Sequence, residues 1–214
     1  LRHYIGRLGS WHHSSRTLVS YASERPQVFA EVQITARATP KPIGVPRANE
    51  TTNLHSVLSR MFTEDEQLEL KRGIEILQRL RGFDLDSAFR EAYADKNFKP
   101  RVHAEVWLLE HFYWSDLHFL DDDRYIGCSK PSCYCCNLYI LERQDRSSQR
   151  PSHGNVWTNW QSPLPQDSSK SLFDANLRSA MISKFKEDLK NQIIEPTTNH
   201  GRIPDTTTGL TLSD

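Results

Sequence analysis

The sequence contains no apolar run approaching the roughly 18 residues that a membrane-spanning helix needs, so no membrane partner is expected. Its first thirty residues lack the apolar centre of a secretory leader, although the chain begins at Leu1 rather than Met. An intracellular location, cytoplasmic or nuclear, is therefore expected. There is no excess of charge of either sign: 27 Lys and Arg balance 27 Asp and Glu. A protein that gripped nucleic acid by charge alone would be basic, which argues against a tight electrostatic binder but leaves room for a local basic stripe. Cysteine is scarce. All four cysteines fall between Cys128 and Cys136, whereas a secreted disulfide framework would scatter them. Such clustering points to metal ligation in a reducing compartment. No internal repeat is present.

What remains is an ordinary globular composition, 37% hydrophobic and 25% charged, over 214 residues. That length suffices for one domain with peripheral additions. Residues 1–55 are expected to be an N-terminal extension with a Pro-rich linker (Pro40, Pro42, Gly44, Pro46) that packs on the core. Residues 56–195 are expected to form the domain that carries the chemistry, and residues 196–214 a polar, flexible tail.

Periodicity and punctuation predict the elements. A short helix is expected around Trp11–Tyr21, and a strand over Val28–Thr35, where apolar and polar residues alternate. The capping box Thr63-Glu64-Asp65-Glu66 opens a helix carrying Leu70, Ile74 and Leu77, closed near Arg81-Gly82. Further helices are expected over Leu85–Ala94, from Val102 or His103 to Trp114, over Ser132–Glu142 and over Leu172–Ile193. Short strands are expected at Leu117–Leu120, Arg124–Cys128 and Asn155–Thr158. Strands alternating with helices predict an α/β domain with helices on both faces of a sheet.

The chemistry is concentrated in two segments, His103-Ala104-Glu105 and Pro131-Ser132-Cys133-Tyr134-Cys135-Cys136. Zinc prefers tetrahedral nitrogen and sulfur donors, and a catalytic site keeps one position for water. His103, Cys133 and Cys136 supply three donors, and two thiolates neutralise the dication. Cys128 and Cys135 compete as sulfurs, but only Cys133 and Cys136 have the C-x-x-C gap. Each donor is expected at a helix start, where the helix dipole favours thiolates. Glu105, two residues from His103, can sit beside the ion without ligating it and move protons. This is the H-x-E…P-C-x-x-C pattern of zinc deaminases, with Ser132 intervening here between the proline and the first cysteine.

The segments HAEVWLLEHF, RYIGCSKPSCYCCNLYI and RPSHGNVWTNW resemble a deaminase family, common in fungi and found in some intracellular bacteria, within the cytidine-deaminase-like superfamily. The resemblance covers roughly residues 60–190. It implies a three-layer α/β/α fold with a mixed, about five-stranded sheet. It also implies one catalytic Zn2+ on His103, Cys133 and Cys136, Glu105 as acid and base, and a base of a nucleic acid or nucleotide as substrate.

The foremost functional expectation is hydrolytic conversion of cytosine to uracil in DNA or RNA. A free nucleoside or nucleotide deaminase is the alternative. A non-catalytic zinc module for partner binding is a third, closed by a fourth ligand from Cys128, Cys135 or His111. Ser132, His153, Asn155 and Trp157 are candidates for substrate contact, Trp157 by stacking on a base. Lys130, Arg143, Arg146 and Arg150 are candidates for a nucleic-acid backbone, the competing reading being a solvated loop.

Overall fold

The computed structural model describes residues 2–79, 84–128, 130–143, 151–163 and 171–195. Within them the architecture is helical. The helices are α1 (Arg2–Glu24), α2 (Pro26–Phe29), α3 (Leu54–Ser59), α4 (Gln67–Gln78), α5 (Leu85–Ala94), α6 (Ala104–Trp114), α7 (Tyr134–Glu142) and α8 (Ser171–Ile194).

Local chemistry starts these helices. The Glu66 carboxylate accepts the Thr63 N–H at 2.9 Å ahead of α4, half of the reciprocal cap that the sequence encodes. Asp84 caps α5 by accepting the Asp86 and Ser87 N–H groups at 3.0 and 3.2 Å. The Asp86 carboxylate accepts the Leu54 N–H at 2.6 Å and so fastens the start of α5 to the start of α3.

Two apolar clusters hold the chain. One joins α6, α7 and α8 through Val106, Leu109, Leu138, Tyr139, Ile140, Leu177 and Met181. The other joins α3, α4 and the end of α8 through Leu54, Leu58, Phe62, Leu70 and Ile193. Each fully buried side chain of this kind contributes about 1.5–3 kcal/mol relative to an exposed one. Gly73 of α4 lets α8 approach closely, since a Cβ there would meet Cγ2 of Ile193 at 3.0 Å.

The expected five-stranded α/β/α sheet is absent among the described residues. Only two isolated parallel bridges occur, Arg101 with Trp160 and Ser132 with Ser152. Proline limits each of them on one side. Pro151 has no N–H to extend the Ser132–Ser152 pairing backwards, and Pro163 has none to extend the Arg101–Trp160 pairing forwards. Val28–Thr35, expected as a strand, begins at the end of α2 and continues with no regular structure, leaving Ile34 97% exposed. Leu117–Leu120 and Arg124–Cys128 form no strands and flank a 3₁₀ turn, Leu120–Asp122, in which Asp121 and Asp122 take φ of 52° and 56°. Asn155–Thr158 likewise has no ladder.

The Pro-rich segment crosses the domain as a strap. Arg37 meets Nδ1 of His111 at 3.0 Å, and the Trp107 indole donates to the Ala38 carbonyl at 3.1 Å. The Ile43 N–H donates to Oε1 of Gln161 at 3.0 Å. The Arg81-Gly82 cap, Arg146, Arg150 and the 196–214 tail lie outside the described residues.

Candidate metal centre

Each ligand-bearing helix is preceded by one of the two bridges. Arg101 donates its N–H to the Asn159 carbonyl at 2.7 Å and accepts from the Gln161 N–H at 2.8 Å. Two residues on, His103 is the N-cap of α6, in extended conformation. Ser132 donates to the Pro151 carbonyl at 3.0 Å and accepts from His153 at 3.1 Å. The next residue, Cys133, caps α7, its sulfur accepting the Cys136 N–H at 3.4 Å. A side-chain acceptor at an N-cap satisfies one of the orphan donors of the first turn. The two bridges thus deliver a histidine and a cysteine to adjacent helix starts.

There the three donor atoms converge. Nδ1 of His103 lies 3.5 Å from Sγ of Cys133 and 3.3 Å from Sγ of Cys136. All three donor atoms fall within 4.8 Å of one another. A tetrahedral zinc with bonds of roughly 2.0–2.3 Å places N and S about 3.5 Å apart, so the donor set fits that ion. Among the described residues no further His, Cys, Asp or Glu joins the group. His111 is instead engaged by Arg37 and Ser115.

The charges suit a cation. Hydrogen bonding from Cys136 and His103 holds the Cys133 thiol down at about 5, against the opposing effect of burial. Burial pushes the Cys136 thiol well above the ordinary range, and the Cys133 charge adds to that. The hydrogen bond with Cys133 raises His103. The protein alone therefore favours one negative charge shared by two sulfurs. A dication in place of the shared proton lets both ionise. Cys135, half-buried, is raised to about 11 by burial and then by Cys133, which keeps it a neutral thiol.

The centre opens on a cavity of about 540 Å³, within the usual range for small-molecule sites. Its walls include His103, Glu105, Cys133, His153, Trp157, Asn159, Arg101 and Lys130. Glu105 sits in the first turn of α6, and its charge acts on both His103 and Cys136. His153 is buried, and its Nδ1 accepts the Asn155 N–H at 3.0 Å, which leaves the ring proton on Nε2 as a donor.

Other candidates fall elsewhere. Ser132 is fully buried, its hydroxyl donating to the Pro151 carbonyl at 3.3 Å, and it supports the bridge outside the cavity walls. Asn155 is not among the wall residues; its carbonyl accepts the Tyr134 N–H at 3.0 Å. Arg143, expected on a basic surface loop, is buried against Glu110 and Asp174 at 2.5 and 3.5 Å, so it presents no cation to solvent. Its aromatic and carboxylate surroundings come from three helices, which no local pattern reveals.

Two residues near the centre have roles that the sequence does not assign, Trp160 being weighed there only for stacking on a base. Arg101 lines the cavity by virtue of its bridge. Trp160 donates its indole N–H to Sγ of Cys136 at 3.2 Å.

His103, Cys133 and Cys136 could thus hold a metal ion, with Glu105 beside them on the wall of an accessible cavity. Residues 102–164 match the model of a family described as OTT_1508_deam-like deaminase, which supports a place in the cytidine-deaminase-like superfamily. No curated protein and no solved structure matches the chain. Among the described residues no helix is long and apolar enough to cross a membrane.

Proposed function

We propose that the chain is a zinc-dependent hydrolytic deaminase of a nucleobase, foremost of cytosine in DNA or RNA. The observation that carries this reading is the convergence of His103, Cys133 and Cys136 beside Glu105 at the wall of a cavity. An ion held there supplies Lewis-acid activation of a water. Glu105 takes a proton from the attacking water and passes it to N3 of the base. The C4–O bond forms, the C4–N bond breaks, and a second proton carried by Glu105 leaves with ammonia. The Nε2–H of His153 serves as a donor to the base, and Trp157 offers a face for stacking.

Arg101 and Lys130, both exposed and both in the cavity wall, favour a substrate that carries phosphate over a free base. The alternative, a free nucleoside or nucleotide deaminase, is supported by the balanced net charge. The absence of a fourth donor among the described residues argues against a closed zinc module.

The test is incubation of the zinc-loaded chain with single- and double-stranded DNA, RNA and free cytidine, scoring uracil and ammonia. Failure to convert any of them would overturn the reading. In the same assay Glu105→Gln is expected to retain stoichiometric zinc yet lose at least about 100-fold in turnover, the scale of a positioned acid and base. Wild-type turnover by that variant would remove Glu105 from the mechanism.

A further inference from the structure

We propose that Trp160 is a positioning residue of the metal centre, its indole N–H holding the Cys136 sulfur from a segment whose flanking residues, Asn159 and Gln161, grip the backbone that leads to His103. This rests on the reading that His103, Cys133 and Cys136 hold a metal ion.

The geometry is direct. Nε1 of Trp160 lies 3.2 Å from Sγ of Cys136, and Cys136 is fully buried, so no water competes for that sulfur. The ring is half-buried and held against Tyr139, with centroids 6.2 Å apart. The Trp160 N–H turns back onto the Trp157 carbonyl at 3.0 Å, fixing the loop from which the indole projects. On the backbone side, Asn159 and Gln161 grip Arg101 between them, two residues before His103. The segment 159–161 therefore reaches both helix starts, α7 through the Trp160 side chain and α6 through the Asn159 carbonyl and the Gln161 N–H.

The chemistry gives that contact a purpose. Two thiolates already cancel the charge of a divalent ion, which weakens its pull on a fourth ligand. An N–H donor to one sulfur draws charge off it, so the ion stays more electrophilic, and the sulfur keeps its direction. Simple core packing would use the indole face alone and be indifferent to the N–H.

The test removes the N–H and, in an isostere, keeps the bicyclic ring. Trp160→Phe is compared with the full chain carrying β-(3-benzothienyl)alanine at position 160, an isostere that lacks the donor and guards against misfolding of the phenylalanine variant. The probes are Zn2+ affinity by chelator competition and the sulfur-to-metal charge-transfer band of the Co2+-loaded protein. Both variants are expected to bind Zn2+ on the order of tenfold more weakly, because the sulfur loses its direction and, as a more basic thiolate, is held more firmly by a competing proton. Their Co2+ band should move to longer wavelength, because the sulfur lone pairs rise in energy. The metal-free benzothienyl protein should unfold with the wild type. An unchanged band and an unchanged affinity in the isostere would overturn the proposal. Failure of the wild-type chain to bind either ion would overturn the metal-centre reading itself, and is seen before any substitution is made.

Discussion

The guanidinium of Arg143 has no solvent exposure, with Glu110 at 2.5 Å and Asp174 at 3.5 Å. It lies over the rings of Tyr113 and Tyr139, at 4.7 and 5.7 Å from their centroids. Burial raises the Glu110 carboxyl, and the Arg143 charge works against that. A buried ion pair is costly to form and costlier to break, because removing one member strands the other without solvent. Arg143→Met is therefore expected to destabilise the fold by about 3–5 kcal/mol in urea denaturation. Adding Glu110→Gln should recover a large part of that loss, since no carboxylate then remains unpaired at that position. A double variant no more stable than the single one would contradict this account. The pair also joins the two helices that carry His103 and Cys133 at their starts, Glu110 within α6 and Arg143 at the C-cap of α7.

At the scale of the element, α7 owes its start to Cys133, one of the three residues that could hold a metal ion. The Cys133 sulfur accepts the Cys136 N–H, the role that Ser or Asp usually fills. Capping and ligation can be separated. Cys133→Ser should lose zinc by elemental analysis while keeping the metal-free chain about as stable as wild type. Cys133→Ala should lose zinc and a further ~1 kcal/mol, the usual worth of a cap. Equal stability of the two metal-free variants would show that the cap contributes nothing.

Elements of this kind were legible because their signals are local. The apolar spacing of Leu85, Ala88, Phe89 and Ala92 predicts Leu85–Ala94, and the helix occupies those residues. The starts at His103 and Ser132–Cys133 were legible for the same reason. The imidazole and two thiolates were legible because metal chemistry dictates residue types at fixed spacing, and the fold brings them together. Strands were not legible, because alternation needs a partner elsewhere in the chain. Val28–Thr35 alternates and finds none, while the residues that do pair, Arg101 and Ser132, do so one rung at a time. The contact of Trp160 with Cys136, the place of Arg101 and the buried setting of Arg143 escaped for a related reason, since they come from neighbours remote in sequence.

Across the whole molecule α8 is the common member of both apolar clusters. Leu177 and Met181 pack beside the metal centre, whereas Ile193 packs with α3 and α4. At that far end Lys190 pairs with Glu66 just ahead of α4. The hydrogen bond from Lys190, then that from the Thr63 backbone, hold the Glu66 carboxyl down at about 2 from 4.5. A depressed carboxyl adds stability above its unfolded value and loses it as pH falls through the folded one. The stability gap between wild type and Glu66→Gln should thus be complete above about pH 4.5 and close between there and pH 2. A gap that stayed constant over that window, in denaturant titrations at a series of pH values, would exclude the pair as its source.

The proline-limited bridges carry a consequence for the protein's behaviour in a crowded solution. A long unpaired strand margin invites neighbouring chains to dock in register and grow into fibres. Here each backbone pairing is a single rung, with a residue that cannot donate beyond it on one side. Among the described residues, then, the loops that shape the cavity beside His103 and Cys133 offer no paired strand margin longer than one rung for a neighbouring chain to extend.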